Sequence, residues 1–132
     1  MKRITLLILL FSFLNGFSQD FSEKEIIKLN RLNIKTESIN LNDLNIQKDL
    51  NKILNLEKKR KTNITFGIIL TTLSLATITT GIIDVSEKND FKKVLGTIGI
   101  VAGIIYGGIS IPLWNASKKR KNERDELLKK FE

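Results

Sequence analysis

Two long uncharged segments constrain this chain most. Residues 62–83 read TNITFGIILTTLSLATITTGII, and residues 94–117 read VLGTIGIVAGIIYGGISIPLWNAS. Each is as long as the ~20 apolar residues that a helix needs to cross a bilayer. A soluble chain of 132 residues would have little polar material to cover two helices that are apolar on every side. The segments therefore predict two transmembrane helices, with two buried helices of a soluble protein as the alternative.

The connection between these segments defines the fold class. Residues 84–93, DVSEKNDFKK, carry equal numbers of acidic and basic side chains and are therefore neutral. A connection this short makes the two helices antiparallel neighbours. We predict an all-α membrane protein that consists of an antiparallel two-helix transmembrane hairpin, a short helical extramembrane region before it and a helical tail after it.

The first residues have the pattern of a secretory signal peptide. Lys2 and Arg3 precede an apolar stretch at residues 4–14, and Gly16 and Ser18 place small residues before a cut. This order of charge, apolar stretch and small residues predicts a signal peptide at residues 1–18. An uncleaved anchor is the alternative, although the apolar stretch is short for a span.

The regions outside the predicted hairpin are polar and helical in pattern. In the extramembrane region, residues 19–61, Ser22 and Glu25 fit the S-x-x-E capping box that begins a helix. A second helix is predicted from about Asp43, where apolar residues recur at intervals of three and four. The charged tail, residues 118–132, pairs acidic with basic residues four positions later, which favours a helix.

The second uncharged segment contains a row of glycines. Gly99, Gly103 and Gly107 form G-x-x-x-G-x-x-x-G, and small residues at this spacing allow helix backbones to approach closely in lipid. The first segment offers a matching small-residue row in Thr72, Ala76 and Thr80, and Thr77 with Gly81 makes a second small pair. We predict that the glycine row faces either the first helix or a second copy of the protein.

The layout of the chain, together with this row, resembles that of many small uncharacterised bacterial inner-membrane and envelope proteins. The row of Gly99, Gly103 and Gly107 is similar to the glycine-zipper segments of envelope proteins. The resemblance implies a helical membrane protein and carries no active-site residues.

The tetrapeptide KKRK flanks the predicted hairpin on both sides. The copies are Lys58, Lys59, Arg60 and Lys61, and Lys118, Lys119, Arg120 and Lys121. In an antiparallel hairpin they meet at one membrane surface, where basic side chains attract anionic headgroups. Neither copy contains the interleaved aromatic residues that single-stranded nucleic-acid binders use, so membrane lipid, not nucleic acid, is the predicted partner.

Two topology signals conflict. The excess of positive charge favours a cytoplasmic location for both KKRK copies, whereas an export signal places residues 19–61 and the tail in the periplasm. Because the first apolar segment usually dominates orientation, we predict the inner membrane with both regions periplasmic.

Composition limits the chemistry. Cysteine and histidine are absent, which removes thiolate ligands, a cysteine nucleophile and the commonest general base. No metal site or cofactor is predicted, and the expected protein is non-enzymatic: a self-associating or partner-docking component of the bacterial envelope. The alternative is a small permeabilising hairpin of the holin or toxin type.

Overall fold

The structure is a computed structural model that describes residues 21–131, so the predicted signal peptide lies outside the described residues. It contains helix α1 (Glu23–Asn30), a 3-10 turn (Thr36–Ser38), helix α2 (Leu44–Ser86) and helix α3 (Asp90–Leu128). No strand occurs between residues 21 and 131. The chain divides into two compact units at Lys48, and the first unit is described from residue 21 onward.

The first unit begins with the predicted capping box. The Glu25 carboxylate accepts hydrogen bonds from the backbone N–H of Ser22 at 3.0 Å and from its hydroxyl at 2.8 Å. These bonds lower the pKa of Glu25 from its ordinary value, because they favour the charged form. Helix α1 therefore begins where the S-x-x-E pattern predicts.

Helix α1 ends in a left-handed turn at Asn33, whose φ is 64°. The N–H of Ile34 donates to the carbonyl of Leu29 at 3.2 Å, and the N–H of Asn33 donates to that of Asn30 at 3.0 Å. This pattern satisfies the last helical carbonyls. Leu29 and Ile34 are both buried. The segment between α1 and α2 is thus a turn followed by a single 3-10 turn.

Helix α2 continues through both the predicted extramembrane helix and the first uncharged segment. Asp43 caps it, since its carboxylate accepts from the N–H of Asn45 at 2.8 Å. The 43 residues of α2 extend about 65 Å at 1.5 Å per residue. No glycine or proline lies between residues 44 and 61, so nothing in the sequence interrupts the helix before the apolar part.

Helix α3 begins after Asn89, whose side chain accepts from the N–H of Phe91 at 2.9 Å. The predicted connection at residues 84–93 is shorter in the structure, where it consists only of Glu87–Asn89, because both helices extend into these polar residues. Pro112 lies inside α3 without ending it. The all-α class and the hairpin of two long apolar helices are confirmed.

Candidate functional site

Small residues at intervals of seven line the contact between α2 and α3. A seven-residue repeat keeps one face of a helix against its neighbour over many turns. Within residues 62–117, the buried positions are Gly67, Ser74 and Gly81 of α2, and Gly96, Gly103, Ser110 and Ser117 of α3. Hairpin packing therefore rests on small side chains and on close backbone approach.

The two backbones come close together near the connection. A Cβ added to Gly96 would lie 2.5 Å from the carbonyl oxygen of Gly81, and a Cβ added to Gly81 would lie 2.6 Å from that of Gly96. Both distances are shorter than real Cβ contacts. Only glycine fits at these two positions without separating the helices.

The centre of the hairpin joins Ser74 to Gly103. The Ser74 hydroxyl donates a 2.7 Å hydrogen bond to the carbonyl of Gly103, and a Cβ at Gly103 would lie 2.9 Å from the Ser74 carbonyl oxygen. A Cβ at Gly99 would lie 3.2 Å from the Thr77 carbonyl oxygen, and one at Gly107 would lie 3.0 Å from the Ser74 hydroxyl. The structure therefore brings the whole glycine row against α2.

The second predicted row does not lie at this contact. Thr72, Ala76 and Thr80 are exposed. The residues of α2 that face the glycine row are Ser74, Thr77, Ile78 and Gly81. Two residues along a helix turn the side chain through about 200°, so Thr72 and Ser74 point to nearly opposite sides. The signal that sequence reasoning missed is the seven-residue spacing of Gly67, Ser74 and Gly81.

Threonine hydroxyls in the first uncharged segment bond mainly within their own helix. Those of Thr71, Thr77, Thr79 and Thr80 donate to carbonyls four residues earlier, at distances of 2.7 to 3.0 Å. Such bonds satisfy the hydroxyl without a partner helix or water.

The outward surface of the hairpin is apolar. Eighteen large apolar side chains between Phe66 and Trp114 are exposed. In each helix the most apolar 18-residue window is only 17 % buried, whereas a core helix of a soluble protein is mostly buried. By length and composition, α2 and α3 are two helices that could cross a membrane.

Beyond the apolar part, ion pairs join the two helices. The Glu57 carboxylate accepts from the Arg60 guanidinium at 2.8 Å and also contacts Arg124 of α3. These contacts, with Arg60 as the larger cause, lower the pKa of Glu57 to about 2. Farther along, Lys130 contacts Asp49 at 2.8 Å. The polar ends of α2 and α3 are therefore paired as well as the apolar parts.

The arginines and lysines of the two KKRK copies lie in different environments. Arg60 pairs with Glu57, and Arg120 pairs with Glu123 at 3.3 Å. All the lysines of the two copies are exposed: Lys58, Lys59, Lys61, Lys118, Lys119 and Lys121. The contact between Glu57 and Arg124 places both copies at the same end of the hairpin.

Trp114 lies next to this end. Its indole N–H donates to the Thr71 hydroxyl at 3.3 Å, and its ring faces Gly67, where a Cβ would lie 3.2 Å from the indole. The side chain remains 41 % exposed, so it both packs across the hairpin and reaches the surroundings.

Residues 21–131 contain no cluster of acidic or other ligating side chains that could hold a metal ion. Comparison with known proteins found no matching family model, no similar curated protein and no similar solved structure.

Proposed function

We propose that this chain is a non-enzymatic integral membrane protein of the bacterial envelope, in which α2 and α3 cross the inner membrane as a hairpin. The observation that carries the proposal is the apolar outward surface of residues 62–117. Each half-exposed large apolar side chain costs on the order of 1 kcal/mol in water, and eighteen are exposed. Hydrocarbon would remove this cost without any change in the hairpin.

The hairpin interior also suits a lipid environment. Contacts between small residues and short backbone distances stabilise helix pairs where lipid gives little hydrophobic drive between helices. No buried side-chain nitrogen or oxygen in the described chain lacks a hydrogen-bond partner. An unsatisfied polar group would be costly in hydrocarbon.

The role that we propose for the hairpin is association with a second copy or with another membrane protein. The glycine row contacts α2 and is no longer free for this purpose. Thr72, Ala76 and Thr80 form an exposed row at the small-x-x-x-small spacing that membrane helices use for association. This row is the proposed docking face, and residues 19–61 would supply further recognition outside the membrane.

Membrane permeabilisation has less support. The hydroxyls of Thr77, Thr79 and Thr80 donate to carbonyls of their own helix, which accounts for these polar groups without a water-filled lumen. If the chain did permeabilise membranes, unregulated expression would collapse the membrane potential. We expect the potential to be retained.

Extraction of membranes at alkaline pH tests the insertion itself. The full chain should stay with the membrane pellet, as integral proteins do, and should dissolve only when detergent is added. Release into the alkaline supernatant would contradict the proposed membrane hairpin.

Substitution of Ala76 tests the docking face. Ala76→Ile adds bulk to the exposed row and should convert an associated form to a monomer, measured by light scattering in mild detergent. Gly108→Ile is the matched control, because a Cβ at Gly108 meets nothing within 4 Å. If the oligomer persists in Ala76→Ile but is lost in Gly108→Ile, the docking face lies on α3 instead. If the wild-type protein is monomeric and captures no membrane partner, the docking proposal is contradicted.

A further inference from the structure

We propose that the six lysines of the KKRK copies form a binding surface for anionic phospholipid headgroups, which we call the lysine collar. The collar consists of Lys58, Lys59, Lys61, Lys118, Lys119 and Lys121. It would collect lipids with a negatively charged phosphate around one end of the hairpin.

Charge pairing at this end separates the lysines from the arginines. Arg60 and Arg124 share Glu57, Arg124 also contacts Asp125, and Arg120 contacts Glu123. Three arginines therefore face three carboxylates, and their charges compensate. Within the described part of the chain, the only ion pair of a collar lysine is the loose 3.7 Å contact of Lys61 with Glu57. The uncompensated charge of this region thus resides on the lysines.

The collar lies directly beside the apolar surface. Lys61 immediately precedes residues 62–83, and Lys118 immediately follows residues 94–117. Contacts across the hairpin, from Trp114 to Thr71 and from Arg124 to Glu57, bring the two groups of lysines to the same end. Headgroups of lipids that cover the apolar surface would therefore lie at the level of the collar.

The chemistry of lysine suits this ligand. An exposed ammonium group is a compact charge on a flexible stem that can reach a phosphate at the membrane surface. Each basic residue near an anionic membrane surface raises the binding constant for that surface by about fivefold. No aromatic residue lies within either KKRK copy to stack on a base, which favours lipid over a nucleic acid.

This inference rests on the proposed function, because a collar at a membrane surface requires the hairpin to be inserted. Trp114 is the single tryptophan of the chain, and it is exposed beside the collar. Its fluorescence therefore reports both on membrane insertion and on binding of headgroups to the collar. The full chain is reconstituted in phosphatidylcholine vesicles with a minor fraction of phosphatidylglycerol. Either lipid is supplied in brominated form, and quenching of Trp114 fluorescence measures how often each lipid contacts the protein.

The expected result is a preference for brominated phosphatidylglycerol of about fivefold or more. High salt should weaken it, because 1 M salt shortens the range of charge interactions to about 3 Å. The triple variant Lys58→Gln, Lys118→Gln, Lys119→Gln should lose most of the preference. Its matched control is Lys88→Gln, Lys92→Gln, Lys93→Gln, which removes the same charge near the opposite end and should keep the preference.

The outcomes separate the two proposals. Absence of quenching by brominated phosphatidylcholine would mean that Trp114 does not meet lipid, and the proposed membrane hairpin fails together with the collar. Strong quenching by both lipids without preference would leave the hairpin intact and overturn the collar. A preference equally reduced in both triple variants would also overturn it, because net charge alone would then explain the effect. Binding of soluble polyglutamate to protein in pure phosphatidylcholine vesicles, without lipid preference, would assign the lysines to an acidic polymer instead.

Discussion

The hydroxyl of Ser74 and the backbone carbonyl of Gly103 are 2.7 Å apart, and they join α2 to α3 at the centre of the apolar segments. A side-chain hydroxyl reaches a neighbouring backbone so directly only where the two helices nearly touch. The hairpin is therefore held together by close packing of its backbones, and it should be sensitive to single methyl groups at the contact.

Gly103→Ala should weaken the hairpin. Its Cβ would lie 2.5 Å from the Ile78 side chain and 2.9 Å from the Ser74 carbonyl oxygen, and overpacking of this kind costs about 1–3 kcal/mol. The measurement is unfolding of the hairpin in denaturing detergent, monitored by energy transfer between two fluorescent labels. The labels are attached to cysteines introduced at Lys58 and Lys121, because the chain has no cysteine of its own. Gly108→Ala, in open space, is the control and should be neutral or slightly stabilising. Equal effects of both substitutions would refute close packing at Gly103.

Ser74→Ala should cost less than Gly103→Ala. It removes one hydrogen bond between helices, a bond that averages about 0.6 kcal/mol in membranes, and introduces no clash. The same unfolding measurement applies. Thr79→Ala is the control, because the Thr79 hydroxyl donates to the carbonyl of Leu75 within α2. A loss no greater than that of Thr79→Ala would mean that the bond to Gly103 does not stabilise the hairpin.

The pairing of Glu57 should make the polar end of the hairpin sensitive to acid. Its folded pKa of about 2 lies below the ordinary value of 4.5, so the carboxylate stabilises the folded form fully above pH 4.5. This contribution, on the order of 1–3 kcal/mol at neutral pH, should be lost as the pH falls from about 4.5 toward 2. Labels at Lys58 and Lys121 should therefore separate in this window.

Glu57→Gln should abolish that pH dependence and weaken the pairing at neutral pH. Glu123→Gln is the control, since Glu123 is more exposed than Glu57 and, within residues 21–131, forms an ion pair only with Arg120. Label separation with the same midpoint in wild type and in Glu57→Gln would show that another group titrates.

Fusions after Glu132 should reveal the orientation. If the export signal dominates, alkaline phosphatase fused there will be active, and a fluorescent protein that matures only in the cytoplasm will stay dark. The physical reason is that the first apolar segment usually sets the direction of insertion. Fluorescence without phosphatase activity would mean that the two KKRK copies act as cytoplasmic topology signals.

The sequence alone predicts the two apolar helices and the start of α1. Uncharged segments of span length predict the two apolar helices, and Ser22 with Glu25 predicts the start of α1. These features are local, since a cap or an apolar segment depends on residues a few positions apart. The absence of any stop signal before residue 62 could also have predicted that α2 is continuous.

Only the tertiary structure decides which faces meet. Thr72, Ala76 and Thr80 satisfy the same spacing rule as the glycine row, yet α2 turns Ser74 and Gly81 toward α3 instead. The choice depends on the register between two helices, to which every contact along the hairpin contributes. Likewise, the contact of Glu57 with Arg124, 67 residues away, joins α2 to α3. Local spacing cannot specify such a pair, because it forms only when the register of the whole hairpin is set.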